Sequence, residues 1–297
     1  MNAPPRRIRL SRAKDHWIGR FRAMANPCQV LTDADDAMEA NRLLRLVSTE
    51  AWRVEDKFSR YLQGNIVHRV NRRGGEPVEV DGETARLIDF AESLYSLSDG
   101  RFDITSGVLR EAWVFDGSDN VPSRSAVDAI LPRIGWNKAR WEDRTLTLQP
   151  GMQIDLGGVG KEYAVDRCGD LCREGTRASC LINFGGDIAV SRPPETQPWG
   201  VGIEAAAGQA HQPTIALKGG GVATSGDSRR FLLKDGLRYS HILDPLTGWP
   251  VANAPRAVTV VAPSCTQAGM LATLASLQGA GAEAFLDAQA VQYWIQR

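Results

Sequence analysis

Three stretches of this chain carry residue types at spacings that could do chemistry. The first is Ile154-Asp155-Leu156-Gly157-Gly158-Val159-Gly160-Lys161. A strand, a glycine-rich turn and a helix start would aim backbone N–H groups at an anion, with the helix dipole behind them. Lys161 would add a positive charge. Phosphate binding and a plain tight turn are both open readings. Glu162 stands where a Walker A motif needs Ser or Thr, and the G-x-G-x-x-G pattern is absent.

The second stretch is A-T-S-G-D (223–227), followed by Tyr239-Ser240-His241 and the turn-forming run to Pro250. His241 lies among small polar residues before a Pro/Gly turn, where its imidazole could take a proton near neutral pH. The other reading is a hydrogen-bonded structural histidine. Ser225 does not sit in a G-x-S-x-G elbow, which speaks against a serine hydrolase. The third stretch is Phe102-Asp103-Ile104-Thr105-Ser106-Gly107, where Asp103 and Thr105 could hold a ligand or cap a turn. Cys168 and Cys172 are one helical turn apart without further ligands in register, so they read as core positions. His16, His68 and His211 are isolated, and nothing suggests a zinc site.

Elements must position these residues. Apolar spacing predicts long helices over 35–60 and 82–98, the latter stopped by Asp99-Gly100. A third helix is expected from Pro122-Ser123 to just before Pro132. Strands are expected at 145–149, 152–156 and 178–184, the last closed by Gly185-Gly186-Asp187, and near 199–204, 213–218 and 256–262. Helices are expected from Lys161 to about Cys172, over 264–278 and over about 280–289, with a last strand at 291–295. Helices cluster early and strands later, which gives an α+β fold. No repeat or long linker divides the chain, so two subdomains would share one compact body.

Lys plus Arg equals Asp plus Glu, 35 each, which argues against a nucleic-acid grip or an acidic membrane surface as the main task. No run approaches the length of a membrane span. The basic N-terminus lacks the apolar region of a secretory signal, and five cysteines without that signal read as reduced thiols in the cytoplasm. Residues 1–16 are expected as a flexible basic tail and 17–297 as the folded domain. Glycine is 29 of 297 residues, above the usual share of about 7%, so the excess must sit in turns or ligand loops.

Taken in order, the blocks resemble the ApbE-like FAD:protein FMN transferases, from about Phe21 to Gly281. The blocks are F-S-R-Y (58–61) with Asn71 after it, D-G-R-F-D-I-T-S-G (99–107), I-D-L-G-G-V-G-K-E-Y-A-V-D (154–166) and I-N-F-G-G-D-I (182–188). A-T-S-G-D (223–227), S-H-I-L-D-P-L-T-G-W-P-V (240–251) and L-A-T (271–273) complete the set. The resemblance implies two subdomains flanking an FAD cleft. It also implies attack by a Thr or Ser hydroxyl of an acceptor protein on the FMN-side phosphorus of FAD. AMP leaves, with Mg2+ offsetting pyrophosphate charge. On that scheme His241 is the base and Asp244 orients its turn. Met24, Asn71, Asp103, Gly157, Gly158, Lys161, Gly185, Gly186, Asp187 and Ser225 contact the flavin nucleotide. The Gly160 carbonyl and the Thr273 hydroxyl are metal ligands.

Two blocks depart from the family. Ala268-Gly269-Met270-Leu271-Ala272-Thr273 has glycine where the family reads A-D-A-L-A-T, and that aspartate is its only charged protein ligand to the metal. No acidic residue within 262–282 can replace it directly, so the site is expected to be weakened, and Gly269→Asp is expected to raise magnesium affinity. Met24-Ala25-Asn26-Pro27 replaces M-G-T-x. A chain that holds FAD without transferring it, as a carrier or regulator, and an FAD pyrophosphatase giving FMN and AMP are therefore the competing readings.

Overall fold

The computed structural model describes residues 6–203, 214–227 and 230–297. The strands are β1 (Arg9–Arg12), β2 (Trp17–Ala23), β3 (Asn26–Thr32), β4 (Val78–Glu79), β5 (Arg140–Glu142), β6 (Thr145–Thr147), β7 (Cys180–Phe184) and β8 (Asp187–Val190). They continue as β9 (Trp199–Gly202), β10 (Thr214–Leu217), β11 (Gly220–Gly226), β12 (Phe231–Lys234), β13 (Leu237–Ser240), β14 (Ala257–Ala262) and β15 (Gln292–Gln296). The helices are α1 (Ala37–Phe58), α2 (Ile66–Arg72), α3 (Gly82–Leu97), α4 (Arg124–Asp128), α5 (Gly157–Gly175), α6 (Cys265–Leu277) and α7 (Ala282–Ala288).

An antiparallel sheet in the order β1-β2-β3-β7-β8-β11-β14-β15 forms the scaffold. The alternation in β2, where Phe21 and Ala23 are buried while Arg20 and Arg22 are exposed, is what one covered sheet face demands. Leu43, Val47, Ala51 and Val54 of α1 fall at helical spacing and join Val165, Cys168 and Cys172 of α5 and Ala268, Ala272 and Ala275 of α6 in the main core. A second apolar cluster, with Ile188, Val190, Val222, Val201 and Ile215, joins the sheet to the β9–β10 hairpin. A third gathers Val108, Leu109, Trp113, Val127 and Leu232 beneath Leu243 and Trp249, and forms the smaller body that carries the His241 segment.

Asp36 and Ser264 cap α1 and α6 with side-chain bonds to the N–H groups of Glu39 and Gln267. Glu83 receives Arg53, Lys57 and the Tyr163 hydroxyl, the last at 2.6 Å, and so ties α1, α3 and α5 together. These ties fix the position of the α5 N-terminus.

The structure corrects several expectations. Residues 152–156 form no strand. Ile154 is instead held by the Asn71 side chain, and the Asp155 N–H donates to the Ile104 carbonyl at 2.8 Å. The glycine-rich segment is not a loop before a helix at Lys161, because α5 already begins at Gly157. The third helix is short, and the chain runs on through Pro132 as a 3-10 turn. The tail expected over 1–16 is not free from Arg9 onward, since β1 pairs with β2 from Arg9↔Arg20 to Arg12↔Trp17. The β2–β3 hairpin was not expected at all. Residues 204 and 213, at the ends of two expected strands, and His211 lie outside the described residues.

Candidate active site

The N-terminus of α5 is the centre of the site. Gly157 and Gly158 are exposed in its first turn, and the Asp155 carboxylate takes the Gly157 N–H at 2.9 Å. Asp155 is itself flanked by Arg60 at 3.4 Å and Arg110 at 3.6 Å. Arg60 also donates to the Gly107 carbonyl and to Gln153 Oε1, both at 2.8 Å, while Arg110 lies over the exposed Tyr61 ring. Two guanidinium groups and a helix N-terminus thus face one region, an arrangement that attracts anions. Arg60, Arg110 and Asp155 are absent from the expected set of site residues. Arg60 and Asp155 lie within the F-S-R-Y and I-D-L-G-G blocks without a role assigned to them, and nothing local distinguished Arg110.

One turn deeper, Lys161 Nζ lies 2.6 Å from Asp187 Oδ2. Burial works against the Lys161 charge, but Asp187 and Glu162 outweigh it and hold the ammonium above its ordinary pKa. Asp187 closes the β7–β8 hairpin, whose turn residues Gly185 and Gly186 have φ of 66° and 107°. A two-residue turn with both φ values positive matches the twist of the hairpin, and glycine adopts it without strain. Both glycines are exposed, and a side chain on Gly185 would strike Asn26 of the neighbouring β2–β3 turn. Met24 of that turn is half-buried, and its N–H donates to Glu55 at 2.6 Å. Met24, Gly185, Gly186, Asp187 and Lys161 therefore come together.

Burial, and after it the nearby Asp187 charge, raise the pKa of Glu162 to about 8 against the opposing charge of Lys161. Its Oε2 is buried and has no hydrogen-bond partner among the described residues. In the sequence the residue stands as a mismatch to a nucleotide-binding motif and as part of the 154–166 block, with no role assigned to it. Gly160 is buried, yet a Cβ placed on it would meet no atom within 4 Å. Thr273 lies on α6 one turn from Gly269, so the two share a face of the helix.

His241 is carried by the smaller body. Its ring stands edge-on to Phe115, with centroids 6.2 Å apart, and its Nδ1 is buried without a partner among the described residues. Burial pushes its pKa down to about 4, helped by Arg230 and Arg110 and opposed by Asp227, so the imidazole is neutral at neutral pH. Asp244 shapes the turn that follows. Its carboxylate accepts the Leu246 N–H at 2.8 Å, its N–H donates to the Trp249 carbonyl, and its carbonyl accepts the Gly248 N–H. Trp113 donates to the Gly248 carbonyl and pins the turn to the apolar cluster below.

Two of the expected nucleotide contacts also bind the protein itself. Asn71 accepts the Ile154 N–H at 2.7 Å and donates to the Ile154 carbonyl at 3.0 Å. Asp103 is buried and accepts from the Thr105 N–H and hydroxyl and from the Trp136 N–H. Both carry fixed bonds to the protein and position the segments around α5. Ser225 is a half-buried residue of β11, opposite Val258.

A helix N-terminus backed by Lys161, two arginines and a neutral histidine form a site able to receive a phosphorylated ligand and take a proton beside it. The profile of the ApbE family matches residues 24–295 of this chain. The FAD:protein FMN transferase of Klebsiella pneumoniae is 30% identical over 268 residues, 88% of this chain and 81% of that protein. That of Chlamydia pneumoniae is 33% identical over 229 residues, 74% of this chain and 70% of that protein. The crystal structure of the ApbE protein from Thermotoga maritima superposes with a TM-score of 0.85 at 30% identity, covering 94% of each chain. The flavin transferase ApbE from Vibrio cholerae gives 0.82 at 26% identity, covering 98% of this chain and 94% of that one. The chain belongs to the ApbE family. Its relatives are FAD:protein FMN transferases, and the α+β fold matches theirs over nearly its whole length.

Proposed function

We propose that this protein moves FMN from FAD to a Thr or Ser hydroxyl of an acceptor protein. The hydroxyl oxygen forms a bond to the FMN-side phosphorus, the bond from that phosphorus to the AMP phosphate breaks, and AMP departs. The hydroxyl proton passes to the neutral imidazole of His241, and the Asp244 turn holds the ring in place. Charge on the pyrophosphate is met by Lys161, by the N–H groups at the start of α5, and by Arg60 and Arg110. Met24, Gly185 and Gly186 border the same region, with Ser225 on β11 as a further nucleotide contact.

Magnesium is the cation this reading calls for. Among the described residues no group of three or more His, Cys, Asp or Glu side chains could hold a metal, so a cation must draw on hydroxyl and backbone oxygens as well. The oxygens proposed for it are the Gly160 carbonyl and the Thr273 hydroxyl, with free space around the Gly160 Cα in support. Bound there, Mg2+ would offset charge on the pyrophosphate.

The observation that carries this reading is Arg110, which lies 3.6 Å from Asp155 before the first turn of α5 and whose charge also acts on the buried His241. The partner is a protein with a flavinylated hydroxyl. No helix among the described residues is long and apolar enough to cross a membrane. All five cysteines are buried and unpaired, which suits a reducing compartment, the cytoplasm. The test is incubation with FAD, Mg2+ and an acceptor protein. Fluorescent FMN on the denatured acceptor supports transfer, AMP without labelling means hydrolysis, and tight FAD binding with neither product means a carrier.

A further inference from the structure

Gly269 lacks the carboxylate that a divalent cation would want from α6, but the space beside it is not empty. A Cβ placed on Gly269 would lie 2.6 Å from Glu162 Cγ, 3.0 Å from Oε1 and 3.1 Å from Cδ. The Glu162 side chain therefore fills the volume that an aspartate at position 269 would need. We propose that Glu162 supplies the missing carboxylate to the divalent cation, from α5 instead of α6. The proposal rests on the metal-assisted reading above and names the charged ligand of that same site.

Three further observations agree. Glu162 Oε2 is buried and has no hydrogen-bond partner among the described residues, an expensive state for a carboxylate oxygen. Lys161 is already committed to Asp187 at 2.6 Å, so two carboxylates share one ammonium and the cluster is short of positive charge. Finally, α5, which carries Gly160 and Glu162, packs on α6, which carries Gly269 and Thr273. A glutamate is longer than an aspartate by one methylene, which gives the reach required from the facing helix. The expectation that Gly269→Asp alone improves the site is accordingly reversed: the new side chain would collide with Glu162.

The two positions can be tested against each other. Mn2+ alone is titrated into wild type, E162Q, G269D and E162A/G269D, reading the free-ion electron paramagnetic resonance signal, with circular dichroism melting curves for each. Wild type is expected to bind Mn2+, and E162Q to bind at least roughly tenfold more weakly with its fold intact. G269D should melt below wild type, and E162A/G269D should regain most of the affinity. Wild-type affinity in E162Q, no Mn2+ binding by wild type, or a double variant no better than E162Q would each overturn the proposal. Transfer of FMN is not read here. A chain that binds Mn2+ through Glu162 but moves no FMN would uphold this inference and defeat only the reading beneath it.

Discussion

The Asn71 side chain binds both backbone groups of Ile154, accepting its N–H at 2.7 Å and donating to its carbonyl at 3.0 Å. One amide thereby replaces the neighbouring strand that residues 152–156 lack. The chain is delivered in extended form to Asp155 and then to the first turn of α5. Substrate contact is not needed to explain this residue.

Asn71→Ala should therefore act through position. It removes two hydrogen bonds to a residue that is 1% exposed, at a cost of roughly 2 kcal/mol. Urea unfolding should show that loss, and FAD affinity should fall with it because the α5 terminus is no longer held. Unchanged stability with lowered affinity would instead mark a direct nucleotide contact.

Ala25 sits at φ 60° in the β2–β3 turn, beside Met24 at φ 50°. Left-handed backbone strains a side chain but not glycine, although glycine loses more entropy on folding. Ala25→Gly should thus raise stability by roughly 0.5–1 kcal/mol in denaturant melts. Reduced stability would mean that the turn is not under strain.

The pH dependence follows from His241, whose folded pKa of about 4 lies below its ordinary value near 6.5. Between these values the unfolded chain takes up the proton more readily than the folded one. Its contribution to stability is therefore complete above about pH 6.5 and is lost as pH falls toward 4. Transfer should persist below pH 6, with an acid limb well beneath that of an ordinary histidine. A rate profile bending near 6.5, unaltered in His241→Ala, would rule out this role.

Much of the site was legible because its parts are local. His241 and the Asp244 turn occupy one short run, as do Gly185, Gly186 and Asp187, and α1 and α3 were marked by periodicity and caps. The β2–β3 hairpin was hidden because Met24-Ala25 carries none of the usual Asn-Gly signal for a turn with positive φ. The internal bonds of Asn71 were not legible, since sequence cannot show which distant backbone an amide reaches, whereas the cap at Asp103 was one of the two readings its run allowed. The contact of Glu162 with Gly269 was likewise beyond reach: it joins two helices remote in sequence, and each residue alone looks like a defect. The structure turns the two defects into one arrangement.

The central claim is group transfer through the His241 site, and intact-mass measurement of the acceptor protein, with AMP quantified in the same reaction, tests it most directly. Wild type should add one FMN per acceptor hydroxyl and release AMP in equal amount, and His241→Ala should be slower by about 10²–10⁴-fold while still binding FAD. An acceptor of unchanged mass after incubation with folded, FAD-bound wild type and Mg2+ would contradict the account.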